Sequence, residues 1–322
     1  MAEARAVPRD ARVYLAGHRG LVGSAVLRRL RAEGFTALIT RTSTELDLRD
    51  PHAVEAFFAR ERPRYVILAA AKVGGILAND RYPVDFLSDN LLIATHVIDA
   101  AHRHDVTKLL NLGSSCIYPK HAPQPIPEDA LLTGPLEPTN RAYAIAKIAA
   151  IELCDAYRRQ HGRSFISAMP TNLYGPGDHF DLETSHVLPA LIRKAVEAKE
   201  AGAPSITVWG TGTPRREFLY VDDLATACLF LLEHVDEPGP INVGTGEDVT
   251  IRELAELVCE AVGYEGELVF DTTKPDGTPR KLMDMSRLTG LGWKATTSLT
   301  DGIRATVDAF LDHHRRGVET PR

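Results

Sequence analysis

The tightest constraint on this chain is a run of three glycines close to its start. Gly17-His18-Arg19-Gly20-Leu21-Val22-Gly23 spells G-x-x-G-x-x-G between a short apolar run, residues 12–16, and a stretch with apolar positions at Leu21, Ala25, Val26 and Leu30. The first run reads as a buried strand and the second as an amphipathic helix that Gly34 closes. Glycines at this spacing permit a tight turn and let the backbone approach a ligand closely, while the first N–H groups of the helix point at whatever sits there. Placed after the first strand of a βαβ unit, the loop is suited to a dinucleotide pyrophosphate.

The rest of the first half repeats the same rhythm. Strands are expected at 37–40, 65–71, 108–112 and 165–169, and helices at 51–60, 86–103 and 142–160, with a proline-rich loop over 119–138. Strands alternating with helices of this length give a parallel sheet. The expected fold is therefore α/β, a Rossmann-type doubly wound parallel sheet with a smaller, interleaved C-terminal α/β substrate lobe. After residue 170 the pattern loosens. Stretches 171–181 and 202–217 are rich in Gly, Pro, Thr and Asn and read as site-building loops. Strand-and-helix pattern returns over 218–233 and 241–243, and Thr250 with Glu253 suits a capping box ahead of a helix to 262. The expected division is 1–172 plus roughly 217–245 for the dinucleotide, and roughly 173–216 plus 246–322 for the substrate.

Which dinucleotide is set at the end of the second strand, where an acidic residue would hold a ribose 2′-hydroxyl. Here the chain reads Ile39-Thr40-Arg41-Thr42-Ser43, without an acid. Arg41, with Arg19 in the glycine loop, suits a 2′-phosphate and so NADP(H). Asp47-Leu48 lies against the adenine or forms a turn. Further on, Tyr143 and Lys147 stand at i, i+4 on one helix face, where the cation is expected to lower the phenol's pKa. Ser114 follows the fourth strand, at the sheet edge where ligands bind.

Composition excludes several other readings. A net charge of −6 gives no basic footprint for nucleic acid. No apolar run approaches the roughly 18 residues that span a bilayer. The opening MAEARAVPRDAR carries charges rather than an apolar signal core. Cys116, Cys154, Cys228 and Cys259 form no C-x-x-C pair and no compact zinc pattern, which fits a reducing cytoplasm. His102 and His104, at i, i+2 on a helix, diverge, so no metal site is expected.

The glycine loop, Ser114 and the Tyr143/Lys147 pair resemble the extended short-chain dehydrogenase/reductase superfamily. Further strings are similar to its GDP-L-fucose synthase family: AAAKVGGI (69–76), GSSCIYPK (113–120), EPTNRAYAIAK (137–147), MPTNLYGPGD (169–178), SHVLPALI (185–192), WGTGTPRREFLYVDDLA (209–225), INVGTG (241–246) and KPDGTPRKLMD (274–284). The resemblance implies a cytoplasmic, homodimeric enzyme that epimerises GDP-4-keto-6-deoxy-D-mannose at carbons 3 and 5 and then reduces carbon 4 with NADPH. It implies Ser114, Tyr143 and Lys147 for reduction, and Cys116 and His186 as base and acid for epimerisation. For the cofactor it implies the loop from Gly17 to Gly23, Arg41, Leu112, Gly113, Lys147, Pro170, Thr171, Asn172, Leu173 and His186. For the nucleotide sugar it implies Lys194, Trp209, Arg216 and Asp276. Ser43 stands where the family sometimes has a second arginine, which leaves the phosphate to Arg19 and Arg41. A dehydratase would carry acids beside the serine, where this chain has Ser115 and Cys116, and a non-catalytic NADP sensor would have lost the Tyr/Lys pair.

Overall fold

A computed structural model of the chain describes residues 6–182, 184–274 and 276–315. The outermost residues of the two expected units, 1–5 and 316–322, lie outside the described residues, as does Pro275 of the KPDG string. The first strands are β1 (Val13–Ala16), β2 (Leu38–Ile39), β3 (Tyr65–Leu68), β4 (Lys108–Leu112) and β5 (Ser164–Pro170). Beyond them come β6 (Asn172–Tyr174), β7 (Ser205–Trp209), β8 (Arg215–Arg216), β9 (Phe218–Tyr220), β10 (Pro240–Val243), β11 (Val249–Thr250), β12 (Glu267–Asp271) and β13 (Arg280–Lys281). One parallel sheet runs in the order β10-β5-β4-β3-β1-β2. Chain order reverses between β1 and β3, the switch point at which such sheets open a ligand crevice.

The helices are α1 (Leu21–Ala32), α2 (Pro51–Glu61), α3 (Ile76–Arg81), α4 (Pro83–Arg103), α5 (Arg141–His161), α6 (Val187–Ala201), α7 (Val221–His234), α8 (Ile251–Val262), α9 (Ser286–Leu291) and α10 (Leu299–Arg315). Two apolar layers sandwich the sheet. On one face Val26 and Leu30 of α1 pack with Leu224, Leu231 and Leu232 of α7 on Val13, Leu15 and Ile67. On the other, Phe57 and Phe58 of α2 and Val97 and Ile98 of α4 cover Tyr14, Val66 and Leu109. Because both faces are covered, β1 and β4 are buried along their whole length and show no alternation. A third core joins α6, α8 and α10 to β7 through Leu191, Ile206, Val258 and Phe310. The Thr250–Glu253 capping box forms as expected, each residue bonding the other's backbone N–H.

Several expectations need correction. The strand expected over 65–71 stops at Leu68, where the backbone turns toward the glycine loop. Pro83 starts α4 three residues ahead of the expected Phe86, since proline suits a helix's first position. The supposed loops 171–181 and 202–217 contain β6, β7 and β8. These pair with distant segments, β6 with β9 and β7 with β12, so no local period announces them. Among the described residues no helix is long and apolar enough to cross a membrane.

Candidate active site

The glycine loop has the shape a pyrophosphate needs. Gly17 has φ +86°, and a Cβ there would lie 2.7 Å from the Ala70 nitrogen. At Gly23 a Cβ would stand 2.0 Å from the Gly17 carbonyl oxygen, so that residue lets α1 begin directly beneath the turn. Gly20 caps α1 without a side-chain bond, and no acid occupies the first turn with Leu21 and Val22. An uncapped helix start with no nearby carboxylate is fitted to an anion. His18 has a buried Nδ1 without a partner, and burial, followed by the Arg19 charge, lowers its pKa. Arg19 is exposed. Arg41 is not free: it donates to the Thr40 carbonyl at 2.7 Å and to Glu61 Oε1 at 2.7 Å. Asp47 is spent on Arg49, at 2.8 and 2.9 Å, as a turn residue is.

At the C-terminal edge of the sheet, Leu112 ends β4 and its carbonyl accepts Lys147 Nζ at 2.8 Å. Gly113 follows because a Cβ would strike Met169 Cε at 2.3 Å. Ser114 then caps a 3-10 turn, Ser115–Ile117, its Oγ accepting from the Cys116 N–H at 3.3 Å. Tyr143, on the buried face of α5, reaches the Ser114 hydroxyl and feels Cys116. Burial sets Lys147's pKa down at about 8. The expected lowering of the Tyr143 phenol is not found. Burial, then Cys116, raise it, and they outweigh the Ser114 hydrogen bond. The Lys147 ammonium stands 5.7 Å from the ring centre and serves the Leu112 carbonyl instead. A phenol that stays protonated at neutral pH is in the correct state to give a proton to a carbonyl being reduced.

Cys116 has a partner that the sequence reading missed. Lys281 Nζ lies 3.5 Å from its Sγ. Burial alone would raise this thiol, but Lys281, the Ser114 hydroxyl and Arg216 together hold it below its ordinary value. Lys281 sits on β13, whose parallel pairing with β8 sets it beside Arg216. Its charge also reaches His186, the exposed residue before α6. Crowding by surrounding protein, then Lys281 and His179, lower the His186 pKa. No local motif marks Lys281; the signal lay in the quoted KPDGTPRKLMD string, where it drew no role of its own.

The remaining expected residues continue outward from this centre. Arg216 lies within the fields of both Cys116 and Asp276, while burial lowers its pKa. Asp276 accepts from the Thr211 N–H at 2.7 Å and its hydroxyl at 3.0 Å. Trp209 is half exposed, with Lys194 and Lys274 each 5.5 Å from its ring. Lys194 also donates to the Thr207 carbonyl at 2.9 Å. Cations beside an exposed aromatic face suit a nucleoside diphosphate. On the sheet side, the Thr171 hydroxyl and the Asn172 amide both donate to the Glu217 carbonyl, at 3.3 and 2.8 Å. Pro170 ends β5, and Leu173 of β6 packs on the sheet core. Among the described residues no group of three or more His, Cys, Asp or Glu side chains is placed to hold a metal. His104 pairs instead with Glu55 at 2.7 Å, and His102 accepts from Arg163 at 2.8 Å.

Residues 13–244 match the NAD dependent epimerase/dehydratase family. GDP-L-fucose synthase 1 of Arabidopsis thaliana is 62% identical to this chain over 94% of each sequence. The chain belongs to the GDP-L-fucose synthase branch of that family. The GDP-L-fucose synthase of Escherichia coli strain K12 is 55% identical over 95% of this chain and 98% of its own. Among solved structures, a GDP-L-fucose synthetase from Naegleria fowleri bound to NADP superposes with a TM-score of 0.91 at 32% identity, covering 98% of this chain and 97% of that one.

Proposed function

We propose that this chain converts GDP-4-keto-6-deoxy-D-mannose to GDP-L-fucose, by epimerising carbons 3 and 5 and then reducing the 4-ketone with NADPH. The observation that carries the reading is the convergence of a cation-paired thiol, Cys116 with Lys281 at 3.5 Å, on the same pocket as Ser114 and the protonated Tyr143. A proton next to a ketone is acidic because the carbanion's charge falls on the carbonyl oxygen. Ser114 and Tyr143 hold that oxygen by hydrogen bonds, and the Cys116 thiolate takes the proton. His186 returns one from the other side of the pocket. Once the stereochemistry is set, Tyr143 gives its phenolic proton to the oxygen, while NADPH, when bound, supplies the hydride. Arg216, Lys194, Trp209 and Asp276 hold the nucleotide diphosphate.

The division of labour follows the two units: residues 1–172 with 217–245 for the cofactor, and 173–216 with 246–322 for the nucleotide sugar. Gly17 to Gly23 with Arg41, Leu112, Gly113 and Pro170 to Leu173 line the cofactor side. A cytoplasmic homodimer completes the proposal; the four free cysteines support the first part, and sedimentation velocity tests the second.

Cys116→Ser tests the reading directly. The hydroxyl is a far weaker base at neutral pH and nearly the same size. Solvent deuterium should stop entering the sugar at the wild-type rate, while slow reduction continues and yields a 6-deoxy hexose of unepimerised configuration. Exchange at the wild-type rate would make Cys116 a packed thiol and place the base elsewhere.

A further inference from the structure

The guanidinium expected to read the 2′-phosphate, Arg41, is held by a carboxylate that the sequence did not lead one to expect there. Glu61 closes α2, and its side chain is only 15% exposed. Three guanidinium groups converge on it: Arg41 and Arg12 at 2.7 Å each, and Arg60 at 3.2 Å. Arg41 is thereby fixed between Glu61, the Thr40 carbonyl and the Phe57 ring, whose centre lies 5.6 Å from the guanidinium carbon. The other nearby acid, Glu45, lies within the fields of Arg41 and Arg19, but its hydrogen bonds go to Thr42. Its Oε2 accepts from the Thr42 N–H at 2.7 Å and from the Thr42 hydroxyl at 2.8 Å.

We propose that Glu61 is a selectivity-determining residue of the cofactor site, competing with the 2′-phosphate of NADP for Arg41 and so holding down the preference for NADPH over NADH. The inference rests on Arg41 reading that phosphate. A guanidinium bound to both groups brings carboxylate and phosphate to its two edges, where like charges repel at a range shorter than the screening length. NADH has no phosphate at that position and pays no such cost. Arg12 and Arg60 soften the competition by drawing on the same carboxylate. In the opposite role Glu61 would be a strut that pre-aims Arg41. Glu61 already holds Arg41 at 2.7 Å, so a phosphate that takes this guanidinium must share or break the pair, and competition outweighs the ordering of one side chain. The two roles also predict opposite signs.

The test is equilibrium binding of NADPH and NADH by isothermal titration calorimetry, in the absence of sugar. Glu61→Gln keeps the hydrogen-bonding shape and removes the charge. It should tighten NADPH about threefold or more and leave NADH unchanged. Arg12→Gln, at an exposed position, gives Glu61 one cation fewer and should weaken NADPH but not NADH, so the proposal stays testable if the first variant folds poorly. In an Arg41→Ala background, Glu61→Gln should lose most of its effect. Weaker or unchanged NADPH binding in Glu61→Gln, with NADPH still sensitive to Arg41→Ala, overturns the competition alone. If Arg41→Ala affects both cofactors equally, the phosphate-reading role of Arg41 falls, and the proposal with it.

Discussion

Replacing Lys281 with methionine removes the ammonium 3.5 Å from Cys116 Sγ and keeps a chain of similar length. Two unit charges at that separation interact by about 5 kcal/mol at an effective permittivity of 20 and by about 1 kcal/mol in bulk water. Both side chains are half-buried, so the real coupling falls between these limits. Arg216 and the Ser114 hydroxyl survive the change and retain part of the effect. Even the weaker limit shifts the thiolate-to-thiol ratio about fivefold toward the thiol. The sign is fixed by the acid: a cation favours the thiolate and brings it in at lower pH, so losing the cation moves its appearance to higher pH. The assay is the rate of Cys116 alkylation by iodoacetamide as a function of pH, read by mass spectrometry. Burial pushes the Cys154 and Cys228 thiols up to about 12, which keeps them out of the measurement. Lys281→Met should react about fivefold more slowly on the acid limb of the profile and converge with the wild type in alkali, whereas Lys281→Arg should stay close to the wild type. Superimposable profiles for wild type and Lys281→Met would refute the reasoning.

Tyr143→Phe removes the proton donor and leaves a ring to pack against Phe86, 6.4 Å away between centres. Single-turnover reduction should fall by about two to four orders of magnitude, while calorimetry finds NADPH binding intact. Gly23→Ala places a Cβ 2.0 Å from the Gly17 oxygen, so the turn must open. NADPH and NADH affinity should fall together, by about tenfold or more, because the shared pyrophosphate cradle is lost.

The glycine loop was legible because its demands are local. Strand, positive φ and helix start follow one another within a few residues, and each leaves a mark in residue type. Ser114, Tyr143 and Lys147 were legible for the same reason, from a strand end and from helical spacing. What escaped is what the fold brings together from afar. β7 alternates buried Ile206 and Val208 with exposed neighbours, but its partner β12 is a separate segment, so a run flanked by glycine and proline read as loop. The sign of the Tyr143 shift was missed because residue spacing shows that a cation is near, not what it is already bonded to. Lys147 meets the Leu112 carbonyl of β4, a contact that no helical wheel contains. The Arg41–Glu61 pair was hidden in the same way, since Glu61 lies at the far end of the next helix.

These long-range contacts explain how one pocket draws its chemistry from two parts of the chain. Ser114 and Cys116 follow β4 at the parallel sheet's edge with Tyr143 of α5 beside them, while Lys281 and Arg216 come from the paired strands β13 and β8. The two sets stay aligned through Glu217, which is fully buried. Its carboxylate accepts from the Thr245 N–H at 2.6 Å, the Gly246 N–H at 2.8 Å and the Met283 N–H at 3.0 Å. Burial raises its pKa and those backbone donors oppose the rise, so the group is held by bonds that repay part of its desolvation. Met283 is two residues from Lys281, and Arg216 adjoins Glu217 itself. A buried carboxylate that ties the loop after β10 to both neighbours of the reactive thiol therefore fixes the cation–thiol distance. In the proposed mechanism proton removal depends on that distance, whereas the Ser114 hydroxyl after β4 and the Tyr143 phenol on α5 are held apart from these ties. Loosening the Glu217 ties should thus impair epimerisation before it impairs reduction.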